Sequence, residues 1–183
     1  DALPIYKTVF ITGASSGIGK HCALLLAQAG AKVAVGSRRI AQLQAVVDEI
    51  TQLGGQAKAF ELDVTNNKSV VKCFDEMTKW SLPTIVINNA GVGITGPLEE
   101  IPMQEIKNNF ETNFFGPIEV MKAALPQMRA QQSGLIINIT SIAGYMGLPY
   151  RSVYSASKGA LELITESLRM EVKPFGIQIT NVA

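Results

Sequence analysis

Apolar runs and amphipathic stretches alternate along the whole chain. KTVFIT (7–12), KVAVG (32–36), AKAFEL (57–62), TIVIN (84–88), LIINIT (135–140) and IQITNV (177–182) are short, and all but AKAFEL carry two or more β-branched residues. Most are almost continuously apolar, the pattern of strands covered on both faces rather than one. Between them apolar positions recur every three or four residues, which predicts helices over 17–29, 39–53, 67–79, 103–131 and 152–173. The fourth should bend near Pro117, because a proline inside a helix removes a backbone hydrogen bond. GG at 54–55 and FG at 175–176 are helix stops. Six strands alternating with five helices predict an α/β fold, a doubly wound parallel sheet with right-handed crossovers. No repeat, linker or low-complexity stretch divides residues 1–183, so a single domain is expected. In such sheets ligands bind beyond the C-terminal ends of the strands.

Composition narrows this picture mainly by exclusion. The chain has 183 residues, 47% of them apolar and 17% charged, with a formal net charge of +1. That balance suits a soluble domain with a substantial core, and it offers no basic surface for nucleic acid or anionic membrane. No apolar run approaches the roughly 18 residues of a membrane span. The start lacks a basic segment followed by an apolar one, so no secretory signal is read and a cytoplasmic protein is expected. Cys22 and Cys73 lie fifty residues apart in helical segments, which fits two buried thiols better than a disulfide. His21 is the only histidine. A Ser-His-Asp triad and a His-rich zinc site are therefore excluded, and no metal is expected. Any acid–base chemistry must come from other side chains. The opening DALPIY matches neither strand nor cap and can be encoded by the end of a common sequencing adapter read in frame, so residues 1–6 are expected to be a non-native leader. At the other end the chain stops just after the sixth strand, which reads as a C-terminal truncation.

The chemistry begins at TGASSGIG, residues 12–19, between the first strand and the first helix. Gly13 permits a tight turn, while Gly17 and Gly19 let backbone approach a pyrophosphate at the helix N-terminus, where free N–H groups favour anions. Glycine-rich turns are often only structural, but this one follows a strand and opens a helix, the context a dinucleotide site needs. The end of the second strand selects among dinucleotides. NAD sites usually carry a carboxylate there, whereas here the sequence is Ser37, Arg38, Arg39. Guanidinium groups suit a ribose 2′-phosphate, and this favours NADP(H) over NAD(H). The blander reading is that both arginines merely solvate the start of a helix.

Tyr154 and Lys158 share one helix face in VYSASKGALELI. Alone, such a pair means little. With TGASSGIG, NNAG (88–91), ITS ending at Ser141 and YSASK (154–158) in this order, however, residues 7–183 resemble the short-chain dehydrogenase/reductase family. The resemblance implies a Rossmann fold and a reversible hydride transfer between a nicotinamide and an alcohol or carbonyl substrate. It implies that Gly13, Ser15, Gly17, Ile18 and Gly19 hold the cofactor. Asp63, beside Val64, would contact adenine, and Asn89, Ala90 and Gly91 would line the adenine ribose. Asn113, Ser141, Tyr154 and Lys158 would form a catalytic tetrad. Tyr154 would be the general acid/base and Ser141 would hold the substrate oxygen. Lys158 would bind ribose hydroxyls, and Asn113 would hold a water linking Lys158 to solvent. Each also has a plainer reading, Asn113 as a helix-kink residue and Ser141 as a strand-end cap. A nearby ammonium gives a phenol usable acidity without histidine: about 4 kcal/mol at ~4 Å and an effective dielectric near 20 amounts to roughly three pK units.

Substrate and assembly stay open at this level. GYMGLPY (144–150) offers Tyr145, Met146, Leu148 and Tyr150 as an apolar substrate wall or as surface packing. The long helical segments 103–131 and 152–173 imply, by the same resemblance, a homodimer or homotetramer. A non-catalytic dinucleotide-binding sensor or scaffold is the alternative, although such proteins usually lose the tyrosine or the lysine.

Overall fold

The computed structural model describes residues 7–183; the expected leader at 1–6 lies outside the described residues. Six strands form one parallel sheet: β1 (Thr8–Thr12), β2 (Lys32–Ser37), β3 (Gln56–Glu61), β4 (Ile85–Asn88), β5 (Gly134–Ile139) and β6 (Ile177–Val182). Their spatial order is β3-β2-β1-β4-β5-β6. Helices α1 (Gly17–Gln28), α2 (Ile40–Gln52), α3 (Asn67–Trp80), α4 (Met103–Phe110), α5 (Gly116–Gln131) and α6 (Ser152–Val172) lie between them. The apolar runs behave as their pattern demands. Every residue of central β1 is buried, while edge strand β3 exposes Gln56, Lys58 and Glu61.

Side-chain alternation along β1 divides the core in two. Val9 and Ile11 pack with Val33 and Val35 of β2 against α1 and α2. Phe10 points the other way, toward α3, and meets Phe74 edge-to-face at 5.4 Å. The second core runs on under α5 and the end of α6 through Val120, Met121, Ile136 and Val172. Truncating the fully buried Phe10 to alanine would cost about 3–5 kcal/mol. The strand order reverses direction between β1 and β4, which opens a crevice there at the C-terminal edge.

One expected helix is interrupted. In a continuous α-helix the N–H of residue 117 would donate to the carbonyl of residue 113. Pro117 has no N–H, and the chain answers with a π turn at Glu111–Phe115, in which the Gly116 N–H reaches back to the Glu111 carbonyl. The bend expected near Pro117 is thus a break just before it that separates α4 from α5. Both cysteines are free. Cys73 is buried in α3, and burial, with a smaller contribution from Glu76, pushes its thiol up to about 12. Cys22 is only half-buried, which corrects the expectation of two fully buried thiols.

Candidate active site

The crevice at the strand-order reversal is a cleft of about 400 Å³. Its walls include Gly13, Ser15 and Ile18, then Ser37, Arg38 and Arg39, then Asp63 and Val64, then Asn89, Ala90 and Gly91. Of the residues expected at a dinucleotide, Gly17 and Gly19 are not among the lining. Gly19 instead makes the loop possible, because a Cβ there would collide with the Asn89 amide and stand 2.8 Å from the Gly13 carbonyl oxygen. Gly13 has φ +67°, and a Cβ on it would lie 2.8 Å from Ala90 Cα. Two loops from separate strands therefore touch only because both positions are glycine. Thr12 fastens the contact, its Oγ1 accepting from the backbone N–H groups of Asn89 (3.1 Å) and Ala90 (3.0 Å). The Asn89 side chain returns the tie by donating to the carbonyls of Thr12 and Gly13.

The opening of α1 has free donors. Its N-cap, Ser16, makes no side-chain cap bond. The Ser16 hydroxyl accepts instead from Arg39 Nη2 at 2.9 Å, and Arg39 Nε donates to Ser15 Oγ at 3.1 Å. Arg39 thus folds back over the glycine loop. Arg38 is exposed and borders the cleft from the outside. Among the described residues the only carboxylate lining this cleft is Asp63 at the end of β3, where Oδ1 accepts from the N–H and hydroxyl of Thr65. Val64 borders the cleft but is 8% exposed and belongs to the apolar core.

Asn113 is fully buried on the π turn. Its Oδ1 accepts from Val92 N–H at 2.8 Å, and its Nδ2 donates to Val92 O at 2.9 Å. The same Nδ2 lies within reach of Asn109 Oδ1 and Ser157 Oγ. The side chain clamps the segment after β4 in the manner of a strand partner. All of its polar atoms are used by protein.

A second pocket of about 310 Å³ shares Ile18, Asn89, Gly91 and Val92 with the cleft and is lined further by Ile139, Thr140, Arg151, Tyr154 and Lys158. Lys158 is 4% exposed, its Nζ donating to the Ile139 carbonyl at 2.8 Å and standing 6.0 Å from the centre of the Tyr154 ring. Burial pulls its pKa down to about 8, and the Glu162 carboxylate pulls the other way. Ser141 follows Ile139 by two residues, and its Oγ accepts from Ala143 N–H at 3.1 Å, so it is a strand-end cap as well as a candidate donor. Gly144, three residues on, packs against the backbone of α6 at Lys158 and Gly159. Tyr145, Met146 and Tyr150 are exposed and are not part of this pocket's lining.

Several contributors carry no motif. Asn88, Asn138 and Asn181 stand in register across β4, β5 and β6. Asn88 Nδ2 donates to Asn138 Oδ1 at 2.8 Å, and Asn138 Nδ2 donates to Thr165 Oγ1 at 2.9 Å. Asn181 Nδ2 donates to the Glu162 carboxylate. This row, buried at Asn88 and Asn138 and half-buried at Asn181, ties the sheet to α6 at Glu162 and Thr165. A signal was present, since an asparagine stands near the end of each of the last three apolar runs, where β propensity argues against it. Asn109, Ser157 and Arg151 gave no comparable signal.

The similarities to known proteins agree with this geometry. A family model described as short chain dehydrogenase matches residues 7–183. A 3-ketodihydrosphingosine reductase of Bacteroides thetaiotaomicron is 41% identical over 177 residues, covering 96% of this chain and 62% of the relative. Human retinol dehydrogenase 8 is 37% identical over 182 residues, covering 96% of this chain and 57% of the relative. The chain therefore spans about three fifths of these relatives' length. A metagenomic short-chain oxidoreductase solved with NADP superposes with a TM-score of 0.95 at 30% identity, over 100% of this chain and 83% of the other. An NAD+-bound xylitol dehydrogenase gives 0.93 at 29% identity, over 97% and 69%. With a parallel Rossmann-type sheet, a glycine loop tied to the β4 end and a family match along nearly its whole length, the chain belongs to the short chain dehydrogenase family of oxidoreductases.

Proposed function

We propose that this chain carries the reaction core of an NADP(H)-dependent oxidoreductase that interconverts an alcohol and a carbonyl compound, with Tyr154 as general acid/base. The observation that carries the reading is adjacency: the cleft bordered by Arg38 and Arg39 and the pocket bordered by Tyr154 and Lys158 share Ile18, Asn89, Gly91 and Val92 as a common wall. The cleft fits a dinucleotide on its own chemistry. Uncapped N–H groups open α1, Gly13 and Gly19 allow close backbone approach, and two guanidinium groups border the cleft, Arg38 at the β2 end and Arg39 over the glycine loop. Ser15, Ile18, Asn89, Ala90 and Gly91 would hold it along the middle, with Asp63 and Val64 at the adenine end. The bound nicotinamide would supply or accept the hydride. NADP(H) is favoured because the end of β2 carries Ser37 and two arginines where a carboxylate would repel a 2′-phosphate.

The chain's own groups then move the proton. Tyr154 donates it to the developing alkoxide during reduction, and Ser141, whose Oγ accepts from Ala143 N–H, keeps its own proton free and would donate it to the same oxygen. Lys158 supplies a cation beside the phenol from a site closed to solvent, where its charge is weakly screened. Asn113 acts by holding Val92 in place. Its main-chain carbonyl, denied an α-helical partner by Pro117, would accept from a water leading to Lys158. Tyr154→Phe in the whole protein should abolish turnover while leaving NADPH binding intact. Turnover within a few-fold of the parent would refute the assigned role.

A further inference from the structure

Tyr154 does not face Lys158 alone. The Arg151 guanidinium lies over the same ring, with Cζ 4.9 Å from its centre. Two cations on one phenol repel each other, so Arg151 must be held there by something. Arg151 Nη1 donates to Thr95 Oγ1 at 3.0 Å, and its backbone N–H donates to the Leu148 carbonyl at 3.1 Å. The preceding residue, Tyr150, has φ +61°, a left-handed conformation that strains a bulky side chain. The Gly96 N–H secures it by donating to the Tyr150 carbonyl at 2.9 Å. The loop after β4 and the turn before α6 are thus stapled together at the point that aims Arg151.

Nothing anionic answers this charge. Among the described residues no ion pair includes Arg151, and the only other charged residue lining its pocket is Lys158. A guanidinium stays protonated at any working pH and offers five N–H donors, of which the described side chains and backbone take one. A half-buried planar fork with open donors beside the reacting phenol matches a planar oxyanion held by two parallel hydrogen bonds.

We propose that Arg151 sets the charge class of the substrate, selecting carbonyl compounds that carry a carboxylate near the reacting carbon over neutral ones, and neutral ones over amines. The proposal rests on the hydride-transfer reading above. It is tested on the whole protein with NADPH and three ketones of equal length: a 3-oxo acid, its methyl ester and an amino ketone. The expected order of kcat/KM is acid, ester, amine, with the acid ahead of the ester by ~10-fold or more. Arg151→Met should cut the acid at least ~10-fold more than the ester, and Arg151→Lys, which keeps the charge without the fork, should restore part of the gap. A parent enzyme without acid preference, or equal losses on acid and ester, overturns the proposal. A second readout needs no turnover: hexanoate should raise the Tm of the NADP+-loaded protein more than hexanamide does, and Arg151→Met should erase the difference. Equal shifts in the parent overturn it as well. Turnover that survives Tyr154→Phe would overturn the hydride-transfer reading instead.

Discussion

Replacing Lys158 by methionine should reshape the pH dependence of stability. The ammonium is 4% exposed and its one protein hydrogen bond is to the Ile139 carbonyl. In the unfolded chain this amine titrates near its ordinary value of 10.5, whereas in the fold burial lowers the pKa to about 8 against the opposing pull of Glu162. Between those two values the unfolded chain holds a proton that the folded chain has released, so stability rises with pH across the window. Below about pH 8 the fold bears the whole cost of keeping a charge away from water, and above 10.5 that cost is gone. The gap between 10.5 and about 8, at about 1.36 kcal/mol per pH unit, comes to about 3 kcal/mol. Methionine keeps the apolar stem and removes the charge, and comparison with it cancels every other group that titrates in the same range. Urea unfolding of parent and Lys158→Met at pH 7 and at pH 10.5 should therefore show the parent gaining about 3 kcal/mol on the variant between the two. Parallel behaviour within ~0.5 kcal/mol would mean that the ammonium is solvated in the fold. The electrostatic support for Tyr154 would then fail too, since it relies on the same dry environment.

Other consequences concern neighbours of that lysine and the cofactor cleft. Arg38→Asp should weaken NADPH at least ~10-fold more than NADH in fluorescence titrations, because a carboxylate repels a phosphate but not a ribose hydroxyl; equal losses would remove the basis for the cofactor choice. Glu162→Gln removes the carboxylate that raises the Lys158 pKa, so that pKa should fall further below about 8 and the corresponding limb of the kcat/KM profile should move to lower pH. A limb that stays put would show that the carboxylate is uncoupled from the lysine. Asn109→Leu deletes the donor to Val92 O at 3.0 Å and the acceptor of Asn113 Nδ2. It should cost about 1–3 kcal/mol in urea unfolding, and a loss below ~0.5 kcal/mol would refute the clamp.

What could be read from the chain alone was whatever depends on local spacing. The six strands, most helix ends and the glycine loop follow from runs, periods and turn residues that act over fewer than twenty positions. The interruption before Pro117 belongs with them, because a missing N–H at 117 acts on a carbonyl four residues back. Closure was not legible. Parallel strands joined by crossovers share no turn that fixes their register, so nothing local says that Asn88, Asn138 and Asn181 align into one row. Nor does spacing say that Asn113 would turn its whole side chain on Val92, twenty-one residues earlier.

That division bears on how the site should be understood. The residues carried by motifs stand at strand ends and on one helix face, positions the fold provides for any ligand of this shape. Their usefulness depends on groups outside the motifs. Lys158 is a strong local charge only because α6, which the asparagine row ties to the sheet at Thr165 and Glu162, presses it against β5, with Glu162 keeping the burial from neutralising it altogether. The Tyr154 ring meets both that lysine and Arg151, which a strained turn at Tyr150 holds in place. The reaction type resides in the shared motif. The choice of substrate is more naturally sought where the chain accepts strain and unmatched charge without any motif to account for them, and in the described residues that place is the turn from Tyr150 to Arg151.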